Sequence, residues 1–334
     1  MSRRALACIG VAAALCSSAR ANAGAGDDSD GFLHRMTTAI SARLAAVVAA
    51  RTPKLVPPVP IEVKWRPQRI AGSVDLGQVV AIAAADLDGD HHAELYAVTP
   101  REVIALSIGG GRFKEIGRVA FGAELAVAAP RDVVGAAIED GGAIVACVST
   151  RVRGVRVRWR GKQLVAEPGE PGLAPCVGAE LVRGHNYFTD GAGKFYSTRR
   201  REDLVDDQGR KQRVAGRVTL ADTLEVTIVT HAAGDELRNK SHEVRGVGVA
   251  FELADVDRDG RPEAIVSGAG APGDPDHVAV ITLGSDDKKP MYRHEWKGGV
   301  VGVVAADVDG DGRPCVIVAV RLAGANRVDL WRLN

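Results

Sequence analysis

Leu253-Ala254-Asp255-Val256-Asp257-Arg258-Asp259-Gly260-Arg261-Pro262-Glu263-Ala264 is the stretch whose reading decides the fold. Counting from Asp255, acids stand at positions 1, 3 and 5, glycine at 6 and glutamate at 9. Acids so spaced in a tight turn aim their carboxylates at one centre, and oxygens at that density suit Ca²⁺, which takes about six to eight of them. Gly260 permits the sharp bend. The flanks are apolar and strand-like. An EF-hand opens with the same acids but needs helical flanks and a glutamate at position 12, which here is Val266.

Two near copies stand elsewhere. They are Ala84-Ala85-Asp86-Leu87-Asp88-Gly89-Asp90-His91-His92-Ala93-Glu94-Leu95 and Ala305-Ala306-Asp307-Val308-Asp309-Gly310-Asp311-Gly312-Arg313-Pro314-Cys315-Val316. Their position 12 is Ala97 and Val318, so neither is an EF-hand. The carbonyl at position 7, from His92, Arg261 or Arg313, can add a ligand, and Glu94 or Glu263 can close the site. The first copy has His91 where the others have Gly260 and Gly312. The last has Cys315 at position 9, and thiolate suits softer metals than calcium. Ordinary acidic turns are the plain alternative. Yet carboxylates gathered without a cation repel, and the pattern occurs three times.

Working outward, Asp255 and Asp307 begin their loops 52 residues apart. A worn copy with a shortened turn is read at Ala136-Ala137-Ile138-Glu139-Asp140-Gly141-Gly142-Ala143-Ile144-Val145, and weaker ones at 178–186 and 220–226. Short β-rich runs lie at 94–98, 103–108, 143–149, 224–230, 278–283, 315–320 and 327–333. Repeats of this length, built of strands without helices, predict an all-β repeat architecture. The expected fold is a β-propeller of about six four-stranded blades, with five or seven also consistent, over residues 61–334. Ile61-Glu62-Val63-Lys64-Trp65 is expected to complete the last blade and remove an open edge.

Residues 1–23 read as an export signal. Arg3 and Arg4 precede an apolar run, 5–15, too short to span a bilayer, and Ala21-Asn22-Ala23 offers a cleavage site. Within 24–60, Leu33, Met36, Ile40, Leu44 and Val47 recur at helical spacing, which predicts one N-terminal α-helix over 30–51. A proline-rich linker follows it. The mature protein is then periplasmic or extracellular, with no transmembrane segment. Removing residues 1–23 takes the formal charge from +1 to −2, which gives no pull toward nucleic acid. Cys147, Cys176 and Cys315 remain, and a Cys147–Cys176 disulfide or three buried thiols are both open.

The Asp-x-Asp-x-Asp loops, with Ala264-Ile265-Val266-Ser267-Gly268, Gly270-Ala271-Pro272 and Phe121-Gly122, resemble the FG-GAP and VCBS repeats of integrin α-like propellers. The clear resemblance covers three units. It implies two or three structural calcium ions held by Asp86, Asp88, Asp90, Glu94, Asp255, Asp257, Asp259, Glu263, Asp307, Asp309 and Asp311. It also implies a surface displayed to partners.

No catalytic constellation stands out. His242-Glu243 and His294-Glu295 lack a zinc protease's second histidine, and no Gly-x-Ser-x-Gly elbow occurs. Arg156, Arg158 and Arg160 alternate with Val155, Val157 and Trp159, which reads as a solvated outer strand; Arg199-Arg200-Arg201 reads as an exposed loop. The expected role is therefore a monomeric binding or scaffold module for a protein or cell-surface glycan. A hydrolase or lyase acting on polysaccharide or lipid, and a purely structural envelope subunit, are the other readings.

Overall fold

Val, Ile and Ala fill the short apolar runs, and β-branched side chains fit a pleated surface better than a helix. A computed structural model of the chain describes residues 59–72, 75–122, 135–148, 153–171, 198–218, 222–232, 235–269, 274–284, 289–322 and 327–334. All lie within the unit Val56–Asn334. The segment 1–23, the helix expected over 30–51 and the repeat candidate at 178–186 lie outside the described residues, as does Gly270-Ala271-Pro272. Among the described residues every regular element is a strand, so this part of the chain is all-β.

The strands follow the chain in groups. After β1 (Pro67–Gly72) come β2 (Ala81–Ala85), β3 (Glu94–Val98), β4 (Glu102–Gly109) and β5 (Arg112–Ala120). Next are β6 (Gly135–Glu139), β7 (Ile144–Val148), β8 (Arg153–Arg160) and β9 (Gln163–Pro171). Then come β10 (Thr198–Val205), β11 (Lys211–Val218), β12 (Thr223–Ala232) and β13 (Asp235–Arg245). The fourth group is β14 (Val247–Ala254), β15 (Glu263–Gly268), β16 (Asp276–Thr282) and β17 (Tyr292–Trp296). Last are β18 (Gly299–Ala306), β19 (Cys315–Arg321) and β20 (Val328–Leu333).

Three groups form separate four-stranded sheets, β6 to β9, β10 to β13 and β14 to β17. The remaining eight strands form one sheet in the order β18-β19-β20-β1-β5-β4-β3-β2. Within it β1 runs antiparallel to β20 but parallel to β5, through only Ala71↔Arg112 and Gly72↔Phe113. By antiparallel pairing, then, this sheet is two four-stranded sets, and the described residues hold five such sets.

Both faces of β3, β15 and β19 are buried, and alternation sends the two faces to different neighbours, whereas β11 buries one face only. In β19, Val316, Val318 and Val320 join one core with Ile265 and Val278. Ile317 and Ala319 of the same strand join another with Leu95 and Ile104. In β3, Leu95 and Ala97 face that second core, while Tyr96 and Val98 meet Ile144 and Val157. A fourth core joins Val214 and Leu224 to Phe251 and Ala264. The sets thus stack face to face from β10–β13 through β14–β17, β18–β1 and β2–β5 to β6–β9. Burying one such side chain as fully as Phe251 contributes about 1.5–3 kcal/mol.

The chain ends do pair, but not through the segment read from sequence. Residues 61–65 form no strand; Val63 and Trp65 pack on the core beside Tyr292 and Trp331. Pairing with β20 falls to Pro67–Gly72, with Pro67↔Leu333 and Ile70↔Leu330 in register. Pro67 opens the strand, where its missing N–H does least harm. Arg69 then bridges to Asp329 at 2.8 Å.

Candidate metal centre

In each set the turn after the first strand falls at an equivalent place. The pairs that close the three long loops are Ala85↔Glu94, Ala254↔Glu263 and Ala306↔Cys315. Inside the loops the bonding repeats. The position 7 N–H donates to the position 5 carboxylate, from His92 to Asp90 at 2.8 Å, Arg261 to Asp259 at 2.7 Å and Arg313 to Asp311 at 2.8 Å. The position 6 N–H donates to the first aspartate, from His91 to Asp86 at 3.0 Å, Gly260 to Asp255 at 3.0 Å and Gly312 to Asp307 at 2.8 Å. Left-handed backbone at position 6 makes this possible, with φ of 71° at His91, 83° at Gly260 and 76° at Gly312. His91 therefore adopts the same turn as the glycines.

Two loops gather their acids. Asp86, Asp88, Asp90 and Glu94 place one carboxylate oxygen each within 4.8 Å of the others, and so do Asp255, Asp257 and Glu263. These clusters have the chemistry to hold a metal ion. Asp259 stands apart from the second group, 3.9 Å from Arg261. Glu263 is 0% exposed. Its Oε2 accepts from Val256 N at 2.9 Å, while its Oε1 and Asp255 Oδ1 are buried without a hydrogen-bond partner. Burial, then the charge of Asp257, pushes the Glu263 carboxyl up to about 9. Burial likewise raises Asp255 to about 6 and raises Asp257.

The Asp86 cluster is more open: its three aspartates are exposed and only Glu94 is buried. Glu94 Oε2 accepts from Leu87 N at 3.2 Å and from Tyr96 Oη at 3.1 Å. Trp159 Nε1, on β8 of the neighbouring set, donates to Tyr96 Oη at 3.0 Å. Burial raises the Glu94 carboxyl, and the Leu87 N–H opposes that rise.

The Asp307 loop forms no such group among the described residues. Arg332 of β20 pairs with Asp309. Cys315 is free and buried, and burial pushes its thiol up to about 11. The two remaining turns also carry an arginine. Asp206 accepts from Arg210 Nε at 2.6 Å, and Asp140 Oδ2 from Arg156 Nη1 at 2.8 Å. The Asp206 turn is a repeat that sequence reading missed, because it keeps one aspartate of the pattern and turns within five residues. It does abut the Asp255 loop: Gln212 Nε2 reaches Gly260 O at 3.4 Å.

The first strands of the five sets line one cavity of about 1420 Å³, through residues 83–85, 137–139, 199–202, Glu252 and 304–306. Asp86, Asp140 and Asp307 lie in its lining where those strands enter their turns. Arg199-Arg200-Arg201, read from sequence as a loop, belongs to β10 and lines the cavity. A wet wall accepts guanidinium groups, so its strand lacks an apolar signature. Arg201 Nη1 donates to Ala305 O at 3.1 Å, and Arg199 lies 3.5 Å from Glu252. The Arg156 row sits on β8, third in its sheet and covered by β9, with Arg158 on Glu167 at 2.6 Å. Cys147 is disulfide-bonded.

No family model and no curated protein matches the sequence. Among solved structures the chain is similar to the S. cerevisiae core factor, at 8% identity and a TM-score of 0.34, over 82% of this chain and 57% of that one.

Proposed function

We propose that the chain is a calcium-binding β-propeller of five blades, related to the FG-GAP and VCBS repeat proteins. It is an exported monomer and serves as a binding or scaffold module for a protein or cell-surface glycan. Calcium is structural, with one ion in the Asp86 loop and one in the Asp255 loop. A lining shared by the first strands of all five four-stranded sets supports the radial arrangement. The disulfide at Cys147 supports an oxidising compartment.

The observation that carries this reading is Glu263. A fully buried carboxyl with one oxygen unpartnered, beside Asp255 and Asp257, is costly unless it meets a cation. The donors are all oxygens, and no thiol or imidazole shares the cluster, which fits a hard cation such as Ca²⁺. Asp255, Asp257 and Glu263 would hold the second ion; Asp86, Asp88, Asp90 and Glu94 the first.

The test of the binding role is capture. Immobilised protein is offered envelope extract and a glycan array, in calcium and in EGTA. The reading expects a specific partner held in calcium and released in EGTA. Capture identical in both, or none in either, contradicts it.

A further inference from the structure

Register makes the long loops comparable atom for atom. Two residues beyond the loop-closing pair, Tyr96 faces Ala105, Ile265 faces Val280 and Ile317 faces Arg332. The third strand therefore carries a short apolar side chain beside each loop whose carboxylates converge. Beside the Asp307 loop it carries an arginine. That arginine is partly buried, with 20% of its side chain exposed, and it pairs with Asp309.

The loop's own bonding differs where this pair acts. In the two converging loops the position 3 aspartate accepts the position 5 N–H, Asp88 from Asp90 and Asp257 from Asp259, both at 3.1 Å. In the third loop the Asp311 N–H turns to Asp307 Oδ1 instead, also at 3.1 Å. Asp309 has left the place its counterparts hold and faces the guanidinium. The position 2 N–H differs too: Val308 donates to Ala306 O at 3.1 Å, whereas Leu87 and Val256 donate to the glutamate at position 9.

We propose that Arg332 closes the Asp307 loop to divalent cations, its guanidinium serving as a built-in counter-ion for Asp309. A cation in that loop would need Asp309 as a ligand and would face a fixed positive charge already holding it. In the two shorter turns a guanidinium meets the first aspartate instead, Arg210 from within its turn on Asp206 and Arg156 from β8 on Asp140. Among the described residues, the five turns that follow a first strand thus divide between two that gather carboxylates and three whose aspartate meets a guanidinium. Arg332 is the specificity-determining residue of the third long loop. This inference rests on the calcium reading of the Asp86 and Asp255 loops.

The experiment counts bound calcium per chain by equilibrium dialysis, on full-length protein checked for native circular dichroism. Wild type and Cys315→Glu should each bind two ions, because Arg332 is intact in both. Cys315→Glu combined with Arg332→Leu should bind three. Arg332→Gln in the same Cys315→Glu background keeps a planar hydrogen-bonding side chain without charge, and it also should bind three, should the leucine variant not fold. Three ions on wild type or on Cys315→Glu alone would overturn the role of Arg332. So would two ions on the folded double variants. No ions on wild type would instead remove the calcium reading itself, and this inference with it.

Discussion

The Asp255 and Asp307 loops open with the same acids at the same spacing, and they end in different chemistry. One converges on a fully buried glutamate whose Oε1 has no partner. The other spends its middle aspartate on Arg332 and closes on a buried cysteine. The first six positions set the turn, since φ at Gly260 and Gly312 differs by little, 83° against 76°. What the turn can hold depends on position 9 and on the strand two places away. A local motif therefore specifies shape, while the surrounding charges decide whether the acids converge.

The sharpest break in the comparison concerns position 6. A Cβ at Gly260 would stand 2.2 Å from Asp207 N, whereas at Gly312 it would meet open space. Both backbones are left-handed, which costs a side-chain-bearing residue roughly 1–2 kcal/mol. Gly312→Ala should lose only that, and Gly260→Ala about 3 kcal/mol or more once overpacking adds its share. Equilibrium denaturation of the two variants measures the gap; equal losses would mean the loops sit in equivalent surroundings.

Calcium should act on one loop of the pair and not the other. A site that binds only the folded state adds about 2.7 kcal/mol at a hundredfold excess over its dissociation constant. Glu263→Gln should remove about one such increment from the calcium response, and Cys315→Ser should leave the response unchanged. Melting curves with and without calcium decide this.

A pH effect follows from the same glutamate. Its folded pKa, about 9, lies above its unfolded value near 4.5. Without calcium its contribution is therefore greatest below about pH 4.5 and is lost as pH rises toward 9. Asp255, raised to about 6, adds the same sign over a lower window. In EGTA the melting midpoint should fall from pH 5 to pH 8. In saturating calcium, which favours the ionised carboxylates, that fall should disappear. Glu263→Gln should make the fall in EGTA shallower, Asp255 keeping its own part of it.

The smallest effect is the pair that marks the other loop. Arg332 and Asp309 are partly exposed, so a double-mutant cycle should give a coupling of only about 0.5–1 kcal/mol.

The strands and the acidic loops were legible in the sequence because their signals are local. Glu94–Val98 is read to the residue, and 103–108 and 315–320 lie within their strands. Three features were not legible, each for a physical reason. The Asp206 turn uses Arg210 where its relatives use extra acids, so the acidic pattern disappears with the need for it. The strand over 198–205 borders a polar cavity and so lacks apolar alternation. The strand that joins the chain ends lies at Pro67–Gly72, not at 61–65, because pairing register depends on contacts with a segment over 250 residues away. The Arg332–Asp309 pair belongs to the same class: Arg332 lies beyond its loop in sequence and reaches it only through the register of β19 with β20.

The most direct test is calorimetric titration of calcium into EGTA-treated wild-type protein, beside Glu263→Gln. The account predicts two sites on wild type and one on the variant, with the melting midpoint rising as each fills. A flat titration and an unmoved midpoint on wild type would contradict it, and the clustered carboxylates would then be acidic turns without an ion to hold.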